Sequence, residues 1–105
     1  MSRLKLTFYV PVDAAEAVKQ AVFEAGAGQI GNYDACCWQT LGAGQFRPNA
    51  DATPAIGSTG ELTRVEELKV EMICEQAAIE RAVTALKAVH PYEEPAYDVM
   101  ALLDY

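Results

Sequence analysis

Basic residues are scarce in this chain. Its 105 residues contain 8 Lys and Arg against 15 Asp and Glu, which gives a formal net charge of −7 at pH 7. Binding to nucleic-acid phosphates requires clustered Lys and Arg, and so does binding to an anionic membrane surface. The composition therefore argues against a general nucleic-acid binder and against a protein that docks on anionic lipid.

Cysteines and long apolar runs are scarce as well. The three cysteines are Cys36, Cys37 and Cys74, an odd number, whereas a disulfide-stapled secreted domain normally has an even one. The sequence contains no run of 18 apolar residues, the length that a membrane-spanning helix needs, and the first residues do not resemble a signal peptide. We therefore expect a cytoplasmic protein with free thiols, folded as a single domain over residues 1–105.

The first third of the chain predicts a strand followed by a helix. Apolar residues alternate with polar ones over residues 4–10, which indicates a half-buried strand that Pro11 ends. A helix is predicted over residues 13–25. We expect Asp13 to cap its first free N–H groups and Glu16 to reach back to the cap.

The middle of the chain predicts a hairpin. Residues 26–31 form a glycine-rich connection, and residues 32–41 favour a strand. A turn at 42–44 is followed by a short return strand at 45–47, which Pro48 ends.

The second half repeats the order strand, helix, strand. The predicted elements are a loop at 49–60, a long strand at 61–74 with a bend or bulge near Arg64 and Glu66, a helix at 76–89 ended by Pro91, and a strand at 96–103. This order predicts an α+β protein with the ferredoxin-like split βαβ arrangement, in which two helices cover one face of an antiparallel sheet.

The uncovered sheet face is expected to be too apolar for a monomer. Tyr9, Val65 and Ile73 have the parity of that face, and the last strand adds a further apolar row, either Tyr97/Val99/Ala101/Leu103 or Ala96/Met100/Leu102. Large exposed apolar patches usually mark interfaces. We therefore expect a closed homo-oligomer formed sheet to sheet.

Two motifs carry a family resemblance. The segments 90–99, HPYEEPAYDV, and 28–48, which begins GQIGNYDAC and ends GAGQFRP, resemble the small domain inserted in many bacterial Nif-three-like proteins. That domain also occurs alone as a PII/CutA-like protein. The resemblance implies a fold akin to the PII signalling and CutA cation-tolerance proteins, which are typically trimers and, for PII, bind effectors in clefts between subunits.

The resemblance does not supply an active site. In full-length Nif-three-like proteins the metal-binding, hydrolytic centre lies in the flanking domain, and this chain has a single histidine with no histidine-rich constellation to match it. A basic phosphate site like that of PII is not visible in the sequence either.

The turn after the second helix is the strongest candidate site. His90, Glu93 and Glu94, with Cys36, offer ligand types suited to a divalent metal such as zinc, if a neighbouring subunit completes the shell. The simpler interpretation is a rigid turn fixed by two prolines, in which His90 caps or packs. Buried structural roles are the simpler interpretation of all three cysteines.

Arg47, Arg64 and Tyr92 are candidate contacts for a small effector, and the two arginines would suit an acidic one near the loop 49–60. The first hypothesis is an oligomeric, non-enzymatic binding or regulatory module that takes a divalent cation or small effector at clefts between subunits. The second is a metal-assisted enzyme with a site between subunits. The third is a structural domain that acts on a separate protein partner.

Overall fold

The computed structural model describes residues 2–105. Four strands and two helices follow each other as β1 (Arg3–Pro11), α1 (Ala15–Glu24), β2 (Trp38–Phe46), β3 (Thr63–Glu75), α2 (Ile79–Val89) and β4 (Tyr97–Ala101). A short 3₁₀ turn precedes each helix, at Val12–Ala14 and at Gln76–Ala78. Within the described residues, no helix is long and apolar enough to span a membrane.

The strands form one antiparallel sheet in the order β2-β3-β1-β4. Each helix connects two strands that have a third strand between them, which is the split βαβ arrangement. The predicted α+β, ferredoxin-like fold is confirmed.

The core lies between the helices and one face of the sheet. Alternate residues of β1 and β3 point to this side, as the period of two in the sequence predicts, and the small and branched residues of the two helices meet them. The buried apolar residues are Leu6, Phe8, Val10, Ala15, Val18, Val22, Ala27, Val70, Met72, Cys74, Ala78, Ala82 and Leu86.

The start of α1 differs from the prediction. Asp13 lies inside the 3₁₀ turn and is exposed, and neither Pro11 nor Ala14 makes a side-chain cap. The capping prediction for Asp13 and Glu16 is therefore wrong, because the tight turn satisfies the first backbone groups instead. The other end agrees with the sequence: Gly26 follows the helix with a φ of 115°, a conformation that glycine adopts readily.

The predicted hairpin is also wrong. Residues 38–46 form one uninterrupted strand that pairs with β3 from Trp38↔Glu71 to Phe46↔Thr63. Gly42 and Gly44 lie inside this strand, and the residues before it, 27–37, form an irregular loop. Glycine suggested a turn, but an edge strand tolerates it where the neighbouring side chain needs room.

The expected bulge near Arg64 and Glu66 does not form. The β2–β3 register is continuous across both residues. They share the parity of the core but are exposed, because this end of the sheet extends past the helices. The molecule is correspondingly elongated, with extents of 46 × 24 × 24 Å.

The uncovered face is more polar than predicted. Lys5 and Glu71 form an ion pair on it at 2.9 Å, and in the pairing register Thr7 and Lys69 share the same side. Its most exposed large apolar side chains are Trp38 and Met100, while Tyr97, Val99 and Ala101 have the parity of the helix side.

Candidate functional site

A groove lies at the end of the sheet where β1 and β2 finish and β3 begins. Its volume is about 610 Å³, and its two sides are the loop at 47–56 and the turn at 92–96. Prolines restrict the backbone on both sides, Pro48 and Pro54 in the loop and Pro95 at the turn. Proline therefore restricts part of the backbone on each side of the groove.

Tyr92 forms the floor between the two sides. Its hydroxyl donates a hydrogen bond of 2.8 Å to Oε2 of Glu67 on β3. Its ring lies 6.1 Å from that of Phe46, at an angle of 51°. Burial, and then the hydrogen bond to Glu67, raise the pKa of Tyr92 above its ordinary value. The phenol is therefore a neutral donor at pH 7.

His90 holds Tyr92 in place. The ring is buried, with Nε2 2.7 Å from the carbonyl oxygen of Tyr9 and Nδ1 3.1 Å from the backbone nitrogen of Tyr92. A carbonyl only accepts and a backbone N–H only donates, so the proton is assigned to Nε2 and the Nδ1 lone pair accepts. Both ring nitrogens are thus used within the chain, as a rigid-turn role requires.

The loop and the turn are joined directly. The backbone N–H of Thr53 donates to Oε1 of Glu93 at 2.9 Å. The loop also closes on itself, since the N–H of Gly60 donates to the carbonyl of Pro48 at 2.8 Å. Glu93 therefore links the two sides of the groove.

The charge of the groove is strongly negative. Its lining contains the carboxylates of Asp51, Glu67, Glu93 and Glu94 and one cation, Arg47. Apolar surface lies between them from proline, alanine, isoleucine and aromatic side chains. A ligand with an apolar body and a positive charge matches this lining best.

The structure brings together only part of the predicted site. Arg47, Tyr92, Glu93 and Glu94 line the groove, and His90 contacts Tyr92 from beneath. Arg64 does not line it; this residue pairs with Gln45 in the sheet, and its side chain is exposed outside the groove.

Cys36 lines a different, smaller cavity. Among residues 2–105, no group of three or more His, Cys, Asp or Glu side chains could hold a metal ion. The proposed set of His90, Glu93, Glu94 and Cys36 is therefore not assembled within one chain, and metal binding with a second copy's help stays a prediction.

Glu67, which lines the groove, and Gly44, against which its carboxylate lies, were not identified from the sequence. Nothing in the sequence singles out Glu67, and Gly44 falls in the turn predicted at 42–44. A Cβ built on Gly44 would collide with the carboxylate of Glu67, so the glycine makes room for the acid that binds Tyr92. The sequence could have indicated this contact only through the pairing of the strand that contains Gly44 with the strand that contains Glu67. That pairing could be inferred only if β2 was recognised as one strand.

Comparison with known proteins agrees with the fold and the motifs. No protein-family model matches the chain. Over 99 residues it is 50% identical to the GTP cyclohydrolase 1 type 2 homolog of Mycobacterium tuberculosis, covering 94% of this chain and 26% of that protein. The homolog of Listeria monocytogenes is 46% identical over 99 residues, with 93% and 26% covered. The chain thus spans about a quarter of the length of these curated relatives.

Solved structures give the same picture. A Bacillus cereus protein related to NIF3 matches with a TM-score of 0.84 at 39% identity, covering 98% of this chain and 26% of that one. CutA1 from Ehrlichia chaffeensis matches with a TM-score of 0.70 at 13% identity, covering 98% and 83%. The chain is therefore homologous to one domain-sized segment of the NIF3-related GTP cyclohydrolase 1 type 2 homologues, and it has the ferredoxin-like fold of CutA.

Proposed function

We propose that this chain is a binding and regulatory module that takes a small cationic effector in the groove between the loop 47–56 and the turn 92–96. The observation that carries the proposal is a single groove of about 610 Å³ whose lining contains four carboxylates and only one guanidinium. Small-molecule sites are usually pre-formed, mostly apolar clefts with a few placed polar groups.

The groove's chemistry favours binding over catalysis. General acid–base chemistry needs a group that can exchange a proton near pH 7. His90 is fully engaged by two backbone groups, and the raised pKa of Tyr92 keeps its phenol protonated. We infer that both side chains shape the groove and take no part in proton transfer.

The charge also distinguishes between classes of effector. Arg47 alone faces four carboxylates, so a phosphate or carboxylate ligand would meet net repulsion. An organic amine would instead meet complementary charge, and the rings of Phe46, Tyr92 and Tyr9 could contact its cation or its apolar body. This replaces the acidic effector that the sequence suggested.

We further propose that the module works as a homo-oligomer, with a trimer favoured. The exposed apolar side chains on the open face, Trp38 and Met100, support an interface there, although the ion pair of Lys5 and Glu71 makes that face mixed in character. CutA, whose fold this chain shares, is described as a divalent ion tolerance protein. A cation as effector is consistent with that description, and we assign no metal to the groove.

The experiment compares three probes that share an indole ring and differ in side-chain charge: tryptamine, indole-3-ethanol and indole-3-acetate. Calorimetric titration is expected to rank affinity as cation, then neutral, then anion. Neutralising a groove carboxylate, as in Asp51→Asn or Glu94→Gln, should weaken tryptamine binding about threefold each, the effect of a partly screened charge pair.

A matched control variant is Glu80→Gln, because Glu80 lies in the first turn of α2 and does not line the groove. It should leave tryptamine affinity unchanged. Equal or tighter binding of indole-3-acetate would overturn the proposed ligand class, and an equal loss in Glu80→Gln would place the effect in the overall charge of the protein.

A further inference from the structure

Cys36 and Cys37 both line a second cavity, of about 380 Å³, on the open side of the sheet edge. Lys5, Trp38 and Glu71 are among its other lining residues. Both cysteines are free thiols; Cys36 is half-buried and Cys37 is exposed. The cavity shares no lining residue with the groove and is independent of the proposed effector site.

The loop before β2 explains why two adjacent residues line one cavity. In a strand they would point to opposite faces, but β2 begins only at Trp38. Ala35 has a φ of 54°, a left-handed conformation uncommon outside glycine, and it turns the chain just before Cys36. Because Cys37 is exposed, the buried-cysteine interpretation is wrong for it; Cys74 is buried, so the interpretation holds there.

The loop is fixed where it carries the thiols. The N–H of Cys36 donates to the carbonyl of Gly28 at 2.8 Å, and the N–H of Gly28 donates to the carbonyl of Ile73 on β3 at 2.8 Å. Cys36 is thus attached to the sheet through two backbone hydrogen bonds. A ligand site on such a segment loses less entropy on binding than one on a free loop.

A disulfide between the two cysteines is disfavoured. Consecutive Cα atoms lie about 3.8 Å apart across a trans peptide, whereas disulfides span about 4.4–6.8 Å between Cα atoms. The pair therefore remains available as a dithiol.

We propose that Cys36 and Cys37 form a dithiolate site for one soft cation of low coordination number, the class to which Cu(I) belongs. Thiolates select soft ions. Zinc normally takes four ligands, and no set of three or more candidate ligands is assembled in the described part of the chain. On binding, each thiol releases its proton and its sulfur forms a bond to the ion, which keeps its oxidation state.

The test is an anaerobic titration of the full chain with Cu(I) in competition with a chromophoric Cu(I) chelator. We expect one Cu(I) per chain, and affinity at least tenfold lower in both Cys36→Ser and Cys37→Ser. Cys74→Ala is the matched control, because Cys74 is buried in the core; it should bind like the wild type if its circular dichroism shows a folded chain.

Thiol counting gives an independent readout. Ellman's reagent should modify two thiols of the native protein quickly and the third only on unfolding, and bound Cu(I) should protect the first two. Failure of the wild type to retain Cu(I) against the chelator, unchanged affinity in both serine variants, or two thiols that stay reactive after loading would each overturn the proposal.

Discussion

Gly44 makes room for the carboxylate of Glu67, and this contact offers a direct test of how the groove floor is built. In Gly44→Ala the new methyl group would displace that carboxylate, which is the flexible end of a side chain, so the stability loss should be small, about 1 kcal/mol. The hydrogen bond from Tyr92 to Glu67 should break, and ultraviolet titration should show the pKa of Tyr92 moving down toward its ordinary value.

Gly42→Ala is the matched control, because a Cβ at Gly42 meets no atom within 4 Å. It should leave the Tyr92 titration unchanged. Identical titrations for the two alanine variants would contradict the role given to Gly44.

Tyr92 also predicts how stability depends on alkaline pH. The pKa of Tyr92 is raised in the folded protein above the ordinary value of 10.0. This contribution to stability is therefore full below pH 10 and is lost as pH rises from there through the higher folded pKa. Urea unfolding between pH 9 and pH 11 should show a shallower decline in Tyr92→Phe than in the wild type.

The exposed Tyr33 supplies the comparison for that series. Tyr33→Phe should retain the wild-type dependence on pH. If Tyr92→Phe declines as steeply as the wild type, the buried phenol does not contribute in this range.

His90 is expected to contribute more to stability than any exposed residue of the turn. His90→Ala leaves the carbonyl of Tyr9 and the N–H of Tyr92 without their partner and removes a buried ring, which should lower the free energy of unfolding by about 3 kcal/mol. Denaturant unfolding at pH 7.5 measures it. The exposed neighbour Val89, changed to alanine, should cost about 0.5 kcal/mol, and equal losses would contradict the assignment.

For single residues, the sequence predicted local backbone effects better than contacts between side chains that are distant in the chain. The motif from His90 to Pro95 was recognisable as a rigid turn because two prolines and a histidine after a helix have local consequences. Glu67 was not recognisable, because its role depends on a tyrosine 25 residues away and on a glycine in a neighbouring strand.

The loop 49–60 and the turn after α2 are coupled by Glu93, which gives a prediction at the scale of elements. Removing its carboxylate in Glu93→Ala frees the backbone N–H of Thr53, so hydrogen exchange across residues 49–60 should become several-fold faster. The adjacent Glu94→Ala keeps that hydrogen bond and should leave the exchange unchanged. Equal acceleration in both variants would mean that charge, and not the hydrogen bond, holds the loop.

Elements with strong periodicity were predictable, and those governed by tertiary context were not. The strand at residues 4–10 and both helices follow from the apolar spacing, and Pro91 correctly places the end of α2, since the chain is extended at His90. β2 was misread as a hairpin because its glycines and its exposed side chains give little alternation. Its existence depends on pairing with β3.

At the scale of the whole molecule, the sequence supports a homo-oligomer more strongly than the structure does, because the open face is more polar than predicted. We expect light scattering to give a mass that is a multiple of 11.4 kDa, with three copies favoured. Met100→Lys places a second charge beside Lys5, its pairing partner on β1, and should shift the equilibrium toward single chains if the open face is the interface. A wild-type particle of one chain at micromolar concentration would refute the oligomer.

The location of ligand binding is the most direct test of the groove as the functional site. Amide chemical shifts of the ¹⁵N-labelled protein, recorded during a tryptamine titration, should change mainly at residues 45–56 and 92–96. Changes confined to residues 28–38, around the second cavity, or spread evenly over the sheet would contradict the proposal that the charged groove is where this protein recognises its effector.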